Sequence, residues 1–300
     1  MLKPYRLKLQ TFILTLALIF ANTTLAASEV AAIDFVALHE QAIFASAAYQ
    51  PENKIRAFVA AEDYTLTLHK TDPGSQVSYF LATDTQAGIQ VISVRGTSNI
   101  ENAMVDISLK LRLDQKSGIY FHEGFASSAK RLYAELKPLL NPDYKIRITG
   151  HSLGGAISLI LAMYLDLDQF NIDQVTTFGQ PKVTNIAGAQ KLDRINIIRV
   201  VMPLDLVPLV PPLDPLDINN VDIYWHAGRE VVLLNDDQYA ILEGLDSMLR
   251  ATRFTQQLLS QENVKNHQMS AYLVMLDAKT KSSKRVPYQT DLNLFNLFGS

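Results

Sequence analysis

Residues 150 to 155 read Gly-His-Ser-Leu-Gly-Gly, between a strand-like run from Tyr144 to Thr149 and a strongly helical one from Ala156 to Leu167. A strand that reverses sharply into a helix needs small residues around the turn, and a serine at its apex has its Oγ lifted clear of the backbone. Ser152 is therefore a candidate nucleophile. The chemistry open to such a serine is acyl transfer, which requires a base to take its proton and a carboxylate to hold that base in one tautomer. Negative charge then builds on the former carbonyl oxygen, and the residue after the nucleophile, Leu153, offers one backbone N–H toward it.

The remaining partners are expected on loops after later strands, an acid first and then a histidine. Asp205 follows an apolar run from Ile197 to Met202, in the stiff segment Pro203-Leu204-Asp205-Leu206-Val207-Pro208. Asp214 and Asp217 lie farther along the same proline-rich stretch and are its rivals. Two histidines, His226 and His267, lie downstream. Of the others, His39 and His69 fall outside every motif, His122 precedes a helix-like run, and His151 is expected to point away across the turn. No two histidines share i,i+4 spacing beside a carboxylate, so neither a metal nor another cofactor is expected.

These groups need a frame to bring them together. Ile89 to Val94 reads as a strand ending at Arg95-Gly96-Thr97. Gly124 to Leu140 reads as a helix with Phe125, Ala129, Leu132, Leu136 and Leu140 on one side, stopped by Asn141-Pro142. Further strands are expected over residues 144–149, 174–178 and 197–202, the last apolar apart from Arg199, as suits a strand covered on both faces. Lys145 and Arg147 alternate with apolar residues in a central strand and are expected at its exposed start. Near-helical spacing from Glu29 to Tyr49 predicts a helix. Val221 to His226 and Glu230 to Leu234, flanking Ala227-Gly228, suggest a hairpin. Strands alternating with helices predict an α/β fold with a mainly parallel central sheet and helices on both faces.

The first residues place Lys3, Arg6 and Lys8 before an apolar run from Phe12 to Phe20 and then Thr24-Leu25-Ala26-Ala27, the layout of a secretory signal peptide. An uncleaved anchor is the competing reading, but the apolar run is about half the ~20 residues that a spanning helix requires. Residues 1–26 are accordingly expected to be removed near Ala26 or Ala27. Residues 27–300 then form a single domain, since no repeat or low-complexity linker follows. Without the first segment, 24 basic residues face 30 acidic ones, a net charge of about −6 that invites no nucleic acid. The chain has no cysteine, so its stability must come from a core and not from disulfides.

Six pieces in order resemble the class 3, or fungal-type, lipase family of α/β-hydrolases. They are Arg95-Gly96-Thr97; Phe121-His122-Glu123-Gly124-Phe125; the Gly150 to Gly155 turn; Thr177-Phe178-Gly179-Gln180-Pro181-Lys182-Val183; Asp205 to Pro208 with Pro211-Pro212; and Asn266-His267 shortly before Tyr272. The resemblance runs from about residue 85 to 275, while residues 28–84 match only loosely. It implies Ser152 as nucleophile, Asp205 as orienting acid and His267 as general base, with Thr97 joining Leu153 in the oxyanion hole. His226 then falls in Tyr224-Trp225-His226-Ala227-Gly228, which resembles the family's hairpin, as a packed structural histidine.

The resemblance also places a mobile lid over residues 98–107, where Ile100, Met104 and Ile107 offer an apolar face to acyl chains or a lipid surface. Ala103 stands where the fungal enzymes often carry a tryptophan, so only modest interfacial activation is implied. A basic stretch from Lys279 to Arg285 precedes an apolar tail, Leu292 to Phe298, which either packs on the domain or attaches to a membrane or partner. The implied activity is that of an exported, secreted or periplasmic, serine hydrolase of acylglycerol esters acting through an acyl-enzyme. Phospholipase A or short-chain carboxylesterase activity is the alternative within that class, and a non-catalytic binding protein on the same scaffold the alternative outside it. The sequence points to a lipid or ester substrate and to transient lipid-interface contact, and it names no protein partner.

Overall fold

The apolar runs of the sequence become the parallel centre of a nine-stranded sheet in the computed structural model, which describes residues 32–97, 110–211, 223–251 and 260–288. The expected signal peptide and lid, Asp214, Asp217 and the apolar tail lie outside the described residues. The chain divides into two units, Met1–Asp34 and Phe35–Ser300, and every element named below belongs to the second. The strands run in the order β1 (Thr65–Thr71), β2 (Ser78–Asp84), β3 (Ile89–Val94), β6 (Lys145–His151), β7 (Ile172–Phe178), β9 (Ile197–Val201), β11 (Arg229–Leu233), β12 (Gln238–Leu242) and β13 (Lys284–Arg285). From β3 to β11 each neighbour is parallel. Antiparallel pairs β1/β2, β2/β3 and β11/β12 flank this centre. This is the α/β-hydrolase arrangement, a mainly parallel sheet between helices.

Alternation along a strand shows which face each helix covers. In β6 the Thr149 hydroxyl donates to Gln41 O of α1 (Phe35–Ala47) at 3.2 Å. At the next residue, a Cβ on Gly150 would lie 2.6 Å from Gly154 O and Ser158 Oγ of α4 (Leu153–Leu167). Successive residues of a strand point to opposite faces, so α1 and α4 lie on opposite sides of the sheet. Ser93 of β3 pins α1 a second time, donating to Phe44 O at 2.8 Å. Residues Gly154 to Leu165 of α4 are buried without a break, as expected of a helix that is apolar all round. Beside it, α3 (Glu123–Leu136) buries Phe125, Ala129, Leu132 and Leu136, the stripe read from the sequence. That helix passes into a 3-10 turn at Lys137–Leu139, where Pro138 lacks the N–H needed to continue it.

At the mouth of β6, Lys145 is exposed and Arg147 half-buried, its Nε donating to Asp173 Oδ2 at 2.8 Å. Both sit at the strand's start, as expected. The α1 helix begins at Phe35, later than the periodicity suggested. Helices α2 (Glu52–Ala61), α5 (Ile186–Leu192), α6 (Gly244–Ala251), α7 (Gln261–His267) and α8 (Met269–Lys281) complete the described set, and α8 packs on α1. No described helix is long and apolar enough to cross a membrane.

The expected hairpin around Ala227-Gly228 does not form. A short strand β10 (Tyr224–Trp225) pairs instead with β8 (Thr184–Asn185) in a separate antiparallel sheet with β5 (Ile119–His122) and β4 (Leu111–Asp114). The partner of β11 is β12. Gly228 is no hairpin turn but a crossing between two sheets. It has φ 73°, and a Cβ there would lie 2.5 Å from Ile197 Cβ of β9.

Candidate active site

Ser152 follows the last residue of β6 and precedes the first of α4, with φ 56° and ψ −130°. An L-residue in the left-handed region is strained, at a cost of about 1–3 kcal/mol that surrounding contacts must hold in place. Its N–H is fixed by Phe178 O at 2.8 Å. The flanking glycines allow the approach. A Cβ on Gly154 would run into the carbonyl oxygens of Val94 and Arg95, and one on Gly96 would lie 2.8 Å from Ser152 Cβ. The segment after β3 therefore lies directly against the turn, which brings Thr97 to the edge of the site. Leu153 opens α4, and as its first residue its N–H has no acceptor within the helix.

Asp205 and His267 meet across 62 residues of chain, His267 Nδ1 donating to Asp205 Oδ2 at 2.8 Å. Both are buried. The Tyr272 hydroxyl donates to the same oxygen at 2.5 Å, and Val207 N–H to Oδ1 at 2.9 Å. Burial pushes the Asp205 carboxyl up, but His267, Tyr272 and Val207 together overcome it and hold the group below its ordinary value. Burial and the Asp205 charge push the Tyr272 hydroxyl well above its ordinary value, so it remains a donor. Gly179, with φ 57°, packs on this pair. A Cβ there would lie 2.7 Å from Asp205 Oδ2 and 2.8 Å from His267 Cε1. On the other side of the ring, His267 Nε2 is buried and makes no hydrogen bond among the described residues. The His267 ring lies 4.5 Å, centroid to centroid, from that of His151, the residue before Ser152.

The family model for lipase (class 3) matches residues 91–214, from β3 past Asp205. The chain is 32% identical over 146 residues to secreted mono- and diacylglycerol lipase 1 of Fusarium solani, covering 46% of this chain and 44% of that protein. It is 34% identical over 149 residues to a lipase of Rhizopus niveus, covering 45% and 37%. A lipase structure from Rhizopus microsporus var. chinensis superposes with a TM-score of 0.55 at 25% identity, over 70% of this chain and 76% of that one. Over these residues the chain is similar to the class 3 lipase family. It spans less than half the length of these two curated relatives.

The rival histidine, His226, is held elsewhere. His226 Nε2 donates to Pro208 O at 2.6 Å. Burial, and then the nearby Arg199 and Lys182, push its pKa well below the ordinary value. His122 caps α3, accepting from Phe125 N and stacking on the Phe125 ring at 3.8 Å. The loop carrying Asp205 is clamped from several sides. Lys182 Nζ donates to Pro211 O at 2.7 Å, Lys182 N to Val210 O at 2.9 Å, and Asn263 Nδ2 to Leu204 O at 2.8 Å. Behind the clamp, Glu230 is buried between Arg199, at 3.0 Å, and Arg250. Lys279, the first residue of the basic stretch, turns inward, donating to Leu234 O at 2.7 Å and Asp236 O at 2.9 Å.

Sequence reasoning gave Tyr272 no role, although it appeared beside a matched motif. It also missed Tyr49 and read His151 as turned away. His151 is buried, with its ring wedged between Tyr49 and His267. Nothing in the local pattern around Tyr49 signals a contact 102 residues away.

Proposed function

We propose that this chain hydrolyses carboxylic esters of acylglycerol type, with Ser152 as nucleophile, His267 as general base and Asp205 as orienting acid. The observation that carries the reading is the state of His267, with Nδ1 held by a buried carboxylate and Nε2, beside the elbow, without a hydrogen-bond partner among the described residues. Ser152 Oγ attacks the ester carbonyl carbon and passes its proton to His267 Nε2, while Asp205 stabilises the imidazolium that forms. The N–H groups of Leu153 and Thr97 receive the oxyanion. Collapse of the tetrahedral species breaks the C–O bond, and His267 gives the proton to the departing alcohol. Water then repeats the sequence on the acyl-enzyme, releasing the fatty acid and restoring Ser152.

Acylglycerols are the substrate class because the Fusarium relative is named for mono- and diacylglycerols. That relative is also named as secreted, which supports export here through cleavage of residues 1–26, leaving residues 27–300 as one domain. The test combines fluorophosphonate labelling with a matched panel of triacylglycerol, diacylglycerol, phospholipid and short-chain esters. Expected are labelling that disappears in Ser152→Ala and fastest turnover of acylglycerols. An unlabelled wild-type protein would make the chain a binding protein on a hydrolase scaffold, and faster cleavage of phospholipid or short-chain esters would replace the substrate class. N-terminal sequencing of exported protein should begin near Ala27; an intact Met1 would overturn the signal peptide.

A further inference from the structure

Tyr49, two residues beyond α1, reaches into the site from outside the residues that the lipase (class 3) family model matches. Its hydroxyl oxygen lies 3.0 Å from Gly96 N and 2.7 Å from His151 Nδ1. His151 Nε2 in turn lies 2.7 Å from the main-chain oxygen of His267. One arrangement of hydrogens satisfies all three contacts. A carbonyl only accepts, so His151 must carry its proton on Nε2, which leaves Nδ1 to accept from the Tyr49 hydroxyl. The Tyr49 oxygen then accepts from Gly96 N–H. The chain of bonds is therefore directional, from Gly96 through Tyr49 and His151 to His267 O.

We infer that Tyr49 and His151 are positioning residues, a buried relay that fixes the oxyanion-hole segment and the base-bearing histidine relative to Ser152. The inference rests on the hydrolase reading above and deepens it. Gly96 precedes the expected oxyanion donor Thr97, His151 precedes the nucleophile, and the far end of the relay is the backbone of the base. Three groups that must agree in position to within a fraction of an ångström thus share one chain of bonds. Burial, and next the neighbouring His267, hold the His151 pKa down at about 3, so its ring is neutral near neutral pH. Burial raises Tyr49 to about 12, which keeps the hydroxyl proton in place. A neutral ring 4.5 Å from His267 also adds no positive charge beside an imidazole that must take up a proton.

The test uses the full chain with Tyr49→Phe, His151→Phe, His151→Gln and the Tyr49→Phe/His151→Phe double variant. A glutamine amide offers one donor and one acceptor at about the spacing of the ring nitrogens, so it can carry both bonds. Expected are a kcat lower by about 10-fold in Tyr49→Phe and about 10²-fold in His151→Phe, with KM within about twofold in each. His151→Gln should recover most of the His151→Phe loss, and the double variant should be no slower than His151→Phe alone, because a single relay is broken once. Nitrogen-15 NMR of the wild-type protein should show His151 protonated on Nε2 and not on Nδ1, with this preference weakened in Tyr49→Phe. Wild-type kcat in Tyr49→Phe, multiplicative losses in the double variant, or an Nδ1–H tautomer in the wild type would each overturn the relay. Lack of ester turnover by the wild type sinks the hydrolase reading instead, and the tautomer measurement, which needs no turnover, still decides the relay.

Discussion

Tyr272 and His267 donate to the same oxygen of Asp205, Oδ2, at 2.5 and 2.8 Å. The acid is thus held by a phenol as well as by the imidazole it orients. Because the folded-state pKa of Asp205 is depressed, its contribution to stability is full above the unfolded value of about 3.9 and is lost as pH falls through the folded value. Tyr272→Phe removes one donor, raises that pKa and shrinks the contribution. The acid-unfolding midpoint should move to higher pH, and kcat/KM at neutral pH should fall by about 10-fold, the worth of one charge-assisted bond. An unchanged acid-unfolding midpoint together with an unchanged kcat/KM would make Tyr272 a packing residue only.

Alanine at His267 and at His226 should give opposite phenotypes. His267→Ala should remove about 10⁵-fold or more of kcat with little change in unfolding midpoint. His226→Ala loses the bond to Pro208 O and should cost about 1–3 kcal/mol of stability, with kcat within about tenfold of wild type. Parallel kinetics and urea titration separate the two, and the reversed result would exchange their roles.

Ser152 sits at φ 56° for a purpose that glycine would not serve. Ser152→Gly should abolish activity yet raise stability by about 1 kcal/mol, since relief of backbone strain exceeds the extra freedom glycine brings to the unfolded chain. A shift of the denaturant midpoint upward at constant m-value is the expected reading. A downward shift would mean that the turn is unstrained.

Burial, with Arg250 and Arg199 nearby, lowers Lys182 to about 7. Its folded-state pKa is therefore below the unfolded one, and between about 7 and about 10.4 the unfolded chain binds the extra proton. Stability from this group rises with pH across that window. Lys182→Met removes that slope, so the wild type should gain on the variant as pH rises from 7 to 10. A difference that is flat or falls with pH would place the ammonium charged in the core.

The parallel centre was legible in part because a strand covered on both faces reads as an almost unbroken apolar run, as β9 does apart from Arg199, while β6 was legible from the serine turn that follows it. Crossings between sheets were not. The residues on either side of Gly228 alternate as a hairpin would, but whether the second run pairs with the first or with β12 depends on Ile197, 31 residues earlier in the chain. The site divides along the same line. Ser152 and Asp205 announce themselves through local turns, and His267 through its resemblance. Tyr49 is an ordinary tyrosine in sequence. What distinguishes it is a contact at a separation of 102 residues, which no local pattern encodes.

The packing of α1 against α8 sets an order of events during synthesis. A chain emerging from the ribosome has Tyr49, Ser152 and Asp205 available well before His267, and domains of this size condense as cooperative units. On the hydrolase reading proposed above, Ser152 lacks its base and the relay its terminus until the segment carrying His267 and α8 has docked. On the same reading, hydrolytic competence then waits on that docking, and a chain in which α8 has not docked on α1 would be inert toward esters.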